Sequence, residues 1–300
     1  MLVCKQNIDM GVCPLFYSAP SSVQDALAVL KSSRPRIIAG GTDFFPSQRA
    51  GCQDRNLLDL TRIEGFRGIT QTASGWRVGA ATTWTDIVKA PLPAAFDALK
   101  QAALEVGSIQ IQNRGTLAGN ICNASPAADG LPPLLALEAE VEIVSSDNRR
   151  RVPLSHFVTG VRKIDLAADE LVEAIHIPTL PGDMTSAFAK LGSRKYLVIS
   201  IVMVAANMQV RNGVVHQVRI AGGACSPVAQ RLPALEALVQ GMAVADLGVL
   251  DLGDDALFAP LSPIADVRGS AAYRTRAVAE LCRRSLMQAA TGGETIWTNV

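Results

Sequence analysis

The chain has no C-x-x-C pair: its six cysteines stand apart, as Cys4, Cys13, Cys52, Cys122, Cys225 and Cys282. That scatter excludes a local zinc site or a locally bound iron–sulfur cluster, both of which need closely spaced thiolates. An excess of one charge is also missing. The net charge is +1, so neither nucleic acid nor an anionic membrane surface is a favoured partner. No apolar run reaches the ~20 residues a membrane helix needs. The longest, "YLVISIVMVAANMQV" from Tyr196, is broken by Ser200 and Asn207. Neither a G-K-[ST] nor a G-x-G-x-x-G occurs, which removes the phosphate loop of the P-loop enzymes and weakens a Rossmann reading. The start "MLVCKQNIDMG" has a weak apolar stretch and an early Asp9. No cleavable signal is expected from it, and a reducing cytoplasm with free thiols is the expected setting. Internal repeats and low-complexity tracts are absent as well.

What is present is ordinary globular material in quantity. Of the 300 residues, 49% are hydrophobic and 18% charged, enough for more than one core. After a loose leader over 1–15, "SAPSSVQDALAVLK" predicts a helix capped by Ser21 or Ser22, with Asp25 in its first turn and Leu27 and Leu30 facing inward. Short strands follow at "RIIAGG", "NLLDLTRI" and "GWRVGAATT". Then comes a helix, "AAFDALKQAALEVGSIQI", with Gly107 as its terminator. The stretch "NRGTLAGNICNASPAADGLPPLLALEAEVEIVSS" reads as a long loop leading into an alternating strand, and "ELVEAIHIP" as a strand closed by Pro178. A turn-rich boundary at 179–186 precedes a hairpin around Asn212–Gly213. The remainder is helical, ending in a basic helix capped by Ser270 whose charged face reads as solvated. The expected class is α+β.

Two segments share a chemistry. "AGGTD" (Ala39, Gly40, Gly41, Thr42, Asp43) and "GTLAGN" (Gly115 to Asn120) place small residues and a threonine in a tight turn. Consecutive unhindered N–H groups of this kind wrap phosphate oxygens without a lysine. Thr42 and Thr116 would add hydroxyl donors. The plain alternative is a structural turn. Beyond the second loop, Asn120, Asn123, Ser125 and Asp129 are small polar groups flanked by apolar residues. They are read either as satisfying local backbone or as facing a polar ligand. Asp59 lies where the ribose-binding acid of a dinucleotide fold would stand. Phe44, Phe45 and Pro46, however, occupy positions where that fold starts a helix with small residues.

"IIAGGTDFFPSQR", "IQNRGTLAGNICNASPAADGLPPLLAL", "LVEAIHIP", "FAKLGSRKYLVIS" and "GSAAYRTRAVAELCRRSL" occur in the order and spacing of one family. Across about residues 14 to 290 the chain resembles the FAD-binding medium subunit of the molybdenum hydroxylases, the xanthine dehydrogenase and carbon monoxide dehydrogenase flavoproteins. The resemblance implies two α+β subdomains, over 1–65 and 66–180, that hold FAD between them in a PCMH-type fold. A C-terminal domain with an antiparallel sheet and helices would cover 181–300. It implies that Ala39 to Asp43 and Thr116 to Asn120 bind the FAD pyrophosphate, with Ala118 replacing the first glycine of the family's T-I-G-G-N. Ser125 and Asp129 match its S-P-x-x-D, where the aspartate meets the adenosine ribose region. Val172, in "LVEAIHIP", is implied as a further cofactor contact, and Lys190, in "FAKLGSR", matches the family's F-x-K position near the flavin ring. A charge at Lys190 would stabilise the reduced ring; a solvated surface lysine is the alternative. Tyr196 lies in a segment that shields the flavin in some relatives, with core packing as its alternative.

The implied role is electron transfer by FAD held in this chain, with 2Fe-2S clusters and molybdopterin expected on partner subunits in a dimer of heterotrimers, and NAD+ or another molecule as acceptor. No side-chain nucleophile or general base is then expected, and His156, His176 and His216 read as structural. A stand-alone flavin-dependent reductase and a scaffold that has lost FAD are the rival readings.

Overall fold

In a computed structural model the described residues are 16–48 and 56–292; the leader over 1–15, with Cys4 and Cys13, and Cys52 lie outside them. The first sheet is small and parallel, in the order β1-β3-β2. Its elements are β1 (Phe16–Ser18), α1 (Val23–Ser33), β2 (Arg36–Ile38), the single turn α2 (Phe44–Ser47) and β3 (Asn56–Asp59). Ser22 caps α1 by accepting the Asp25 N–H, and Ala26, Leu27 and Leu30 are its buried face. They pack with Leu58 of the central strand. The helical turn at Phe44 forms even though two bulky aromatics open it.

The second sheet is antiparallel, ordered β4-β5-β10-β6-β7. Its strands are β4 (Ile69–Thr72), β5 (Gly75–Gly79), β6 (Glu140–Val144), β7 (Arg149–Pro153) and β10 (Leu171–Pro178). Between β5 and β6 run α3 (Trp84–Lys89), α4 (Asp97–Glu105), α5 (Ile109–Gln112), α6 (Leu117–Asn123) and α7 (Leu131–Ala136). Short α8 (Leu154–Phe157), β8 (Val158–Gly160) and β9 (Lys163–Ile164) precede β10. Gly107 stops α4 with a φ of 53°, as its position suggests. The expected long loop after Asn113 is corrected here: it contains α6 and α7. Thr116 caps α6, and two prolines open α7 where no intrahelical N–H is required. Proline and small polar residues therefore mark helix starts rather than loop.

The third sheet, β11-β12-β13-β14, is an antiparallel meander of β11 (Met184–Leu191), β12 (Val202–Arg211), β13 (Val214–Gly223) and β14 (Gln230–Arg231). Asn212 and Gly213 both have positive φ, 52° and 73°, as a primed two-residue hairpin turn requires. α9 (Pro233–Val239) and α10 (Ala271–Ala290) complete the fold. Alanines make its junction with the second sheet close: Ala98 and Ala102 of α4 and Ala136 of α7 pack on Phe188, Met203 and Ala205. Hydrogen bonds seal that contact, from the Ala98 N–H to Ser186 Oγ (2.9 Å) and from the Phe188 N–H to Gln101 Oε1 (2.7 Å).

One arginine of the basic terminal helix is not solvated. Arg274 is 1% exposed, and its guanidinium donates to the carbonyls of Ile201 and Ala224 and to Asp266 Oδ1. The Arg268 N–H first, and Arg274 with it, hold the Asp266 carboxyl down at about 2. A lowered folded value means stability that is present above the ordinary carboxylate value and lost as pH falls through the lowered one. Asp266→Asn is expected to lower the melting temperature at neutral pH, with the gap to wild type closing between pH 3.8 and about 2. Thermal melts across that range check it.

Candidate cofactor site

The first glycine loop starts where β2 ends. Gly41 takes a φ of +71°, so the backbone reverses at Ala39–Asp43 and re-enters as α2, with the Phe45 N–H on the Gly41 carbonyl (3.1 Å). Among the described residues, the N–H groups of Gly40, Gly41, Thr42 and Asp43 have no acceptor. Three of these donors are on half-buried residues, Gly40, Gly41 and Thr42, and Asp43 is exposed, so the row is open to a ligand from outside. They form a row suited to an anionic oxygen ligand.

The second loop is built as a helix start. Thr116 Oγ1 accepts the Gly119 N–H at 3.1 Å. The Leu117 N–H goes to the Thr82 carbonyl at 3.0 Å and the Trp84 N–H to the Gly115 carbonyl at 3.2 Å, tying the loop to α3. Thr116 is thus engaged as a cap. Ala118, the departure from the family's glycine, sits inside α6 with its methyl buried and is not among the residues of positive φ. A glycine is not required there.

The two loops touch. A Cβ added at Gly40 would lie 1.9 Å from the Arg114 carbonyl oxygen and 2.9 Å from Gly115 Cα. One added at Gly115 would lie 3.3 Å from Thr42 Oγ1. Segments about seventy-five positions apart therefore form one surface because Gly40 has no Cβ to meet the Arg114 backbone.

From Asn120 the site extends toward the third sheet. Its Oδ1 accepts the Gly130 N–H at 3.3 Å, which fixes the adjacent Asp129. The Asp129 carboxylate receives Lys190 Nζ at 2.9 Å and Ser200 Oγ at 2.7 Å. Lys190 Nζ also donates to the Glu105 carbonyl at 3.2 Å. An ammonium has three N–H donors, so one is left without a partner among the described residues. The Lys190 side chain is only 5% exposed, which overturns the solvated-surface alternative. Burial pushes the Asp129 carboxyl above its usual range, against the pull of Lys190 and Ser200.

The other expected residues stand differently. Ser125 accepts the Ala127 N–H at 3.3 Å, so its hydroxyl serves a local turn. Val172 is a core residue beside the bulge in β10, opposite Ile143. Tyr196 is 65% exposed with the Lys195 ammonium 5.4 Å from its ring centroid, so it does not pack in a core. It lies between Lys190 and Ser200, in the segment joining β11 to β12. Of the histidines, His176 Nε2 pairs with Glu142 Oε2 (2.8 Å) and His216 Nδ1 with Gln209 Oε1 (3.0 Å). In the sequence Ser200 stands out only as a break in an apolar run. A hydroxyl in such a run was the one available signal of a buried polar partner.

This fold has counterparts among known proteins. The profile of the FAD binding domain in molybdopterin dehydrogenase matches residues 9–180, and that of the CO dehydrogenase flavoprotein C-terminal domain matches 187–289. The chain belongs to this flavoprotein family. It is 30% identical to the xanthine dehydrogenase FAD-binding subunit of Escherichia coli O157:H7, covering 93% of this chain and 97% of that protein. It is likewise 30% identical to the carbon monoxide dehydrogenase medium chain of Hydrogenophaga pseudoflava, over 90% and 95%. Among solved structures, carbon monoxide dehydrogenase from Hydrogenophaga pseudoflava superposes with a TM-score of 0.83 at 30% identity, covering 93% of this chain and 98% of that one. Quinoline 2-oxidoreductase from Pseudomonas putida 86 gives 0.83 at 26% identity, over 94% and 98%. As in the family, the cofactor is FAD and the protein is a subunit of an oxidoreductase. The residues present fit that group: unpartnered amides stand in the first loop, whose approach to Arg114 a Cβ at Gly40 would block, and the buried Lys190 ammonium keeps one donor without a partner among the described residues.

Proposed function

We propose that this chain is the electron-transfer subunit of a molybdenum hydroxylase, holding FAD between the halves 1–65 and 66–180, with 181–300 closing the site through Lys190. When bound, FAD supplies two-electron carrier chemistry between an iron–sulfur partner subunit and NAD+ or another acceptor. The chain's own residues bind and orient. The Gly40–Asp43 amides take the pyrophosphate, and the cap at Thr116 holds the second loop rigid against them. Because these donors are backbone and already fixed, little ordering is lost on binding. Lys190 presents its third N–H to the cofactor while Asp129 keeps the buried charge compensated. The observation that carries the proposal is the backbone contact between the loops at Gly40. Co-expression with its neighbours should yield a yellow-brown assembly of this chain with an iron–sulfur and a molybdopterin subunit, as a dimer of heterotrimers. Anaerobic NADH should bleach its flavin band if NAD+ is the acceptor. Recovery of only free, colourless monomer would contradict the proposal.

A further inference from the structure

Nothing in the family resemblance assigns Ser200 a role, yet it is 2% exposed and its hydroxyl is committed to Asp129 Oδ1. Its own position does not depend on that bond. The next residue is held at both backbone atoms: the Ile201 N–H donates to the Leu191 carbonyl at 2.8 Å, and the Ile201 carbonyl accepts from buried Arg274. Ser200 is therefore a fixed post, and Asp129 is the group that it adjusts. With Oδ1 held by Ser200, Oδ2 faces the Lys190 ammonium at 2.9 Å. The ammonium is then clamped between Asp129 and the Glu105 carbonyl, and its remaining N–H has one direction available.

We propose that Ser200 is a positioning residue for the cofactor site: it orients the Asp129 carboxylate so that the free N–H of Lys190 is aimed at FAD. This rests on the cofactor reading above and adds the residue that sets the geometry of its charged end. Asp129 is faced by Lys190 from β11, with Glu105 at the end of α4 and Lys195 in the β11–β12 segment completing the charged groups around the pair. The ionised form of Asp129 is the one that grips Lys190. Cofactor affinity should therefore fall as acid protonates it. Ser200 stabilises that ionised form, so removing the hydroxyl moves the acid limb to higher pH.

The test is FAD titration of the full-length chain, stripped of flavin and followed by flavin fluorescence over a pH series. Ser200→Ala is expected to weaken FAD binding by about tenfold, the worth of one hydrogen bond to a charged group, and to shift the acid limb upward. Ser200→Thr, which keeps the hydroxyl, is expected to restore both. Glu105→Gln in each background should leave the shift in place, since it removes the neighbouring carboxyl and not Asp129. A merely structural Ser200 would lower thermal stability without moving the limb, and that outcome overturns the assignment. So does unaltered FAD affinity in Ser200→Ala when the wild-type chain binds FAD. A wild-type chain that takes up no FAD overturns the cofactor reading itself, and this assignment with it.

Discussion

Gly40→Ala is expected to weaken FAD binding by roughly 10- to 100-fold. The added Cβ would meet backbone, the Arg114 carbonyl, at 1.9 Å, and a carbonyl cannot swing aside as a side-chain tip can. Overpacking of this sort costs about 1–3 kcal/mol, and the relief open to the chain is to part the two loops. Gly40 does not have a positive φ, so the effect is steric rather than conformational. Gly182→Ala is the matched control, since its Cβ would enter open space. Gly41→Val and Gly119→Val are also expected to block binding. At Gly41 the variant adds strain at φ +71° and a collision with the Phe45 ring; at Gly119 it presses on Thr116 Oγ1 at 2.7 Å. FAD titrations with parallel thermal melts separate site from fold. Wild-type affinity in Gly40→Ala would show that the contact does not build the site.

Lys190→Met is expected to be the most destabilising single change at the site. It leaves the Asp129 carboxylate, 7% exposed, without its countercharge, and orphaning one member of a buried pair costs about 3–5 kcal/mol. The pH dependence follows from burial, which raises the Asp129 carboxyl and raises it further once the lysine is gone. A group whose folded value lies above its unfolded one contributes stability fully below the unfolded value and loses it as pH rises through the folded value. The variant should thus be weakest at neutral pH and recover as the solution is acidified. Asp129→Asn in the same chain should relieve most of the deficit. Melting temperatures across pH 4 to 8 decide it, and a pH-independent loss would point to packing instead.

Most of the elements were legible from local pattern. Ser22 and Ser270 were expected as caps, Gly107 as a stop, and Asn212–Gly213 as a hairpin turn; each works through its own backbone or its nearest neighbours. The region after Asn113 was not legible as helix. Its two helices are short and proline- or glycine-bearing, and burial on other elements, not propensity, holds them. α7 is buried along its whole length. Lys190 shows the same limit. A lysine between alanine and leucine reads locally as a solvated surface residue until Asp129, sixty-one positions earlier, is placed beside it.

"RIIAGGTDFFP" determined by itself a glycine turn that can present backbone donors, because glycine acts over a few residues; "GTLAGN" reads as a second such turn, but it opens α6, and its Leu117, Gly119 and Asn120 N–H groups are taken by the Thr82 carbonyl, Thr116 Oγ1 and the Thr116 carbonyl. Whether the turns form one site was decided by the tertiary structure, which brings Gly40 onto the Arg114 carbonyl. The same is true of the charged end of the site. Asp129, Lys190 and Ser200 each have a plain local reading, and only the docking of the third sheet on α4 and α7 makes them a single buried unit. Close approach of distant backbone depends on which side chain is missing at the contact, and no local pattern records what will arrive there.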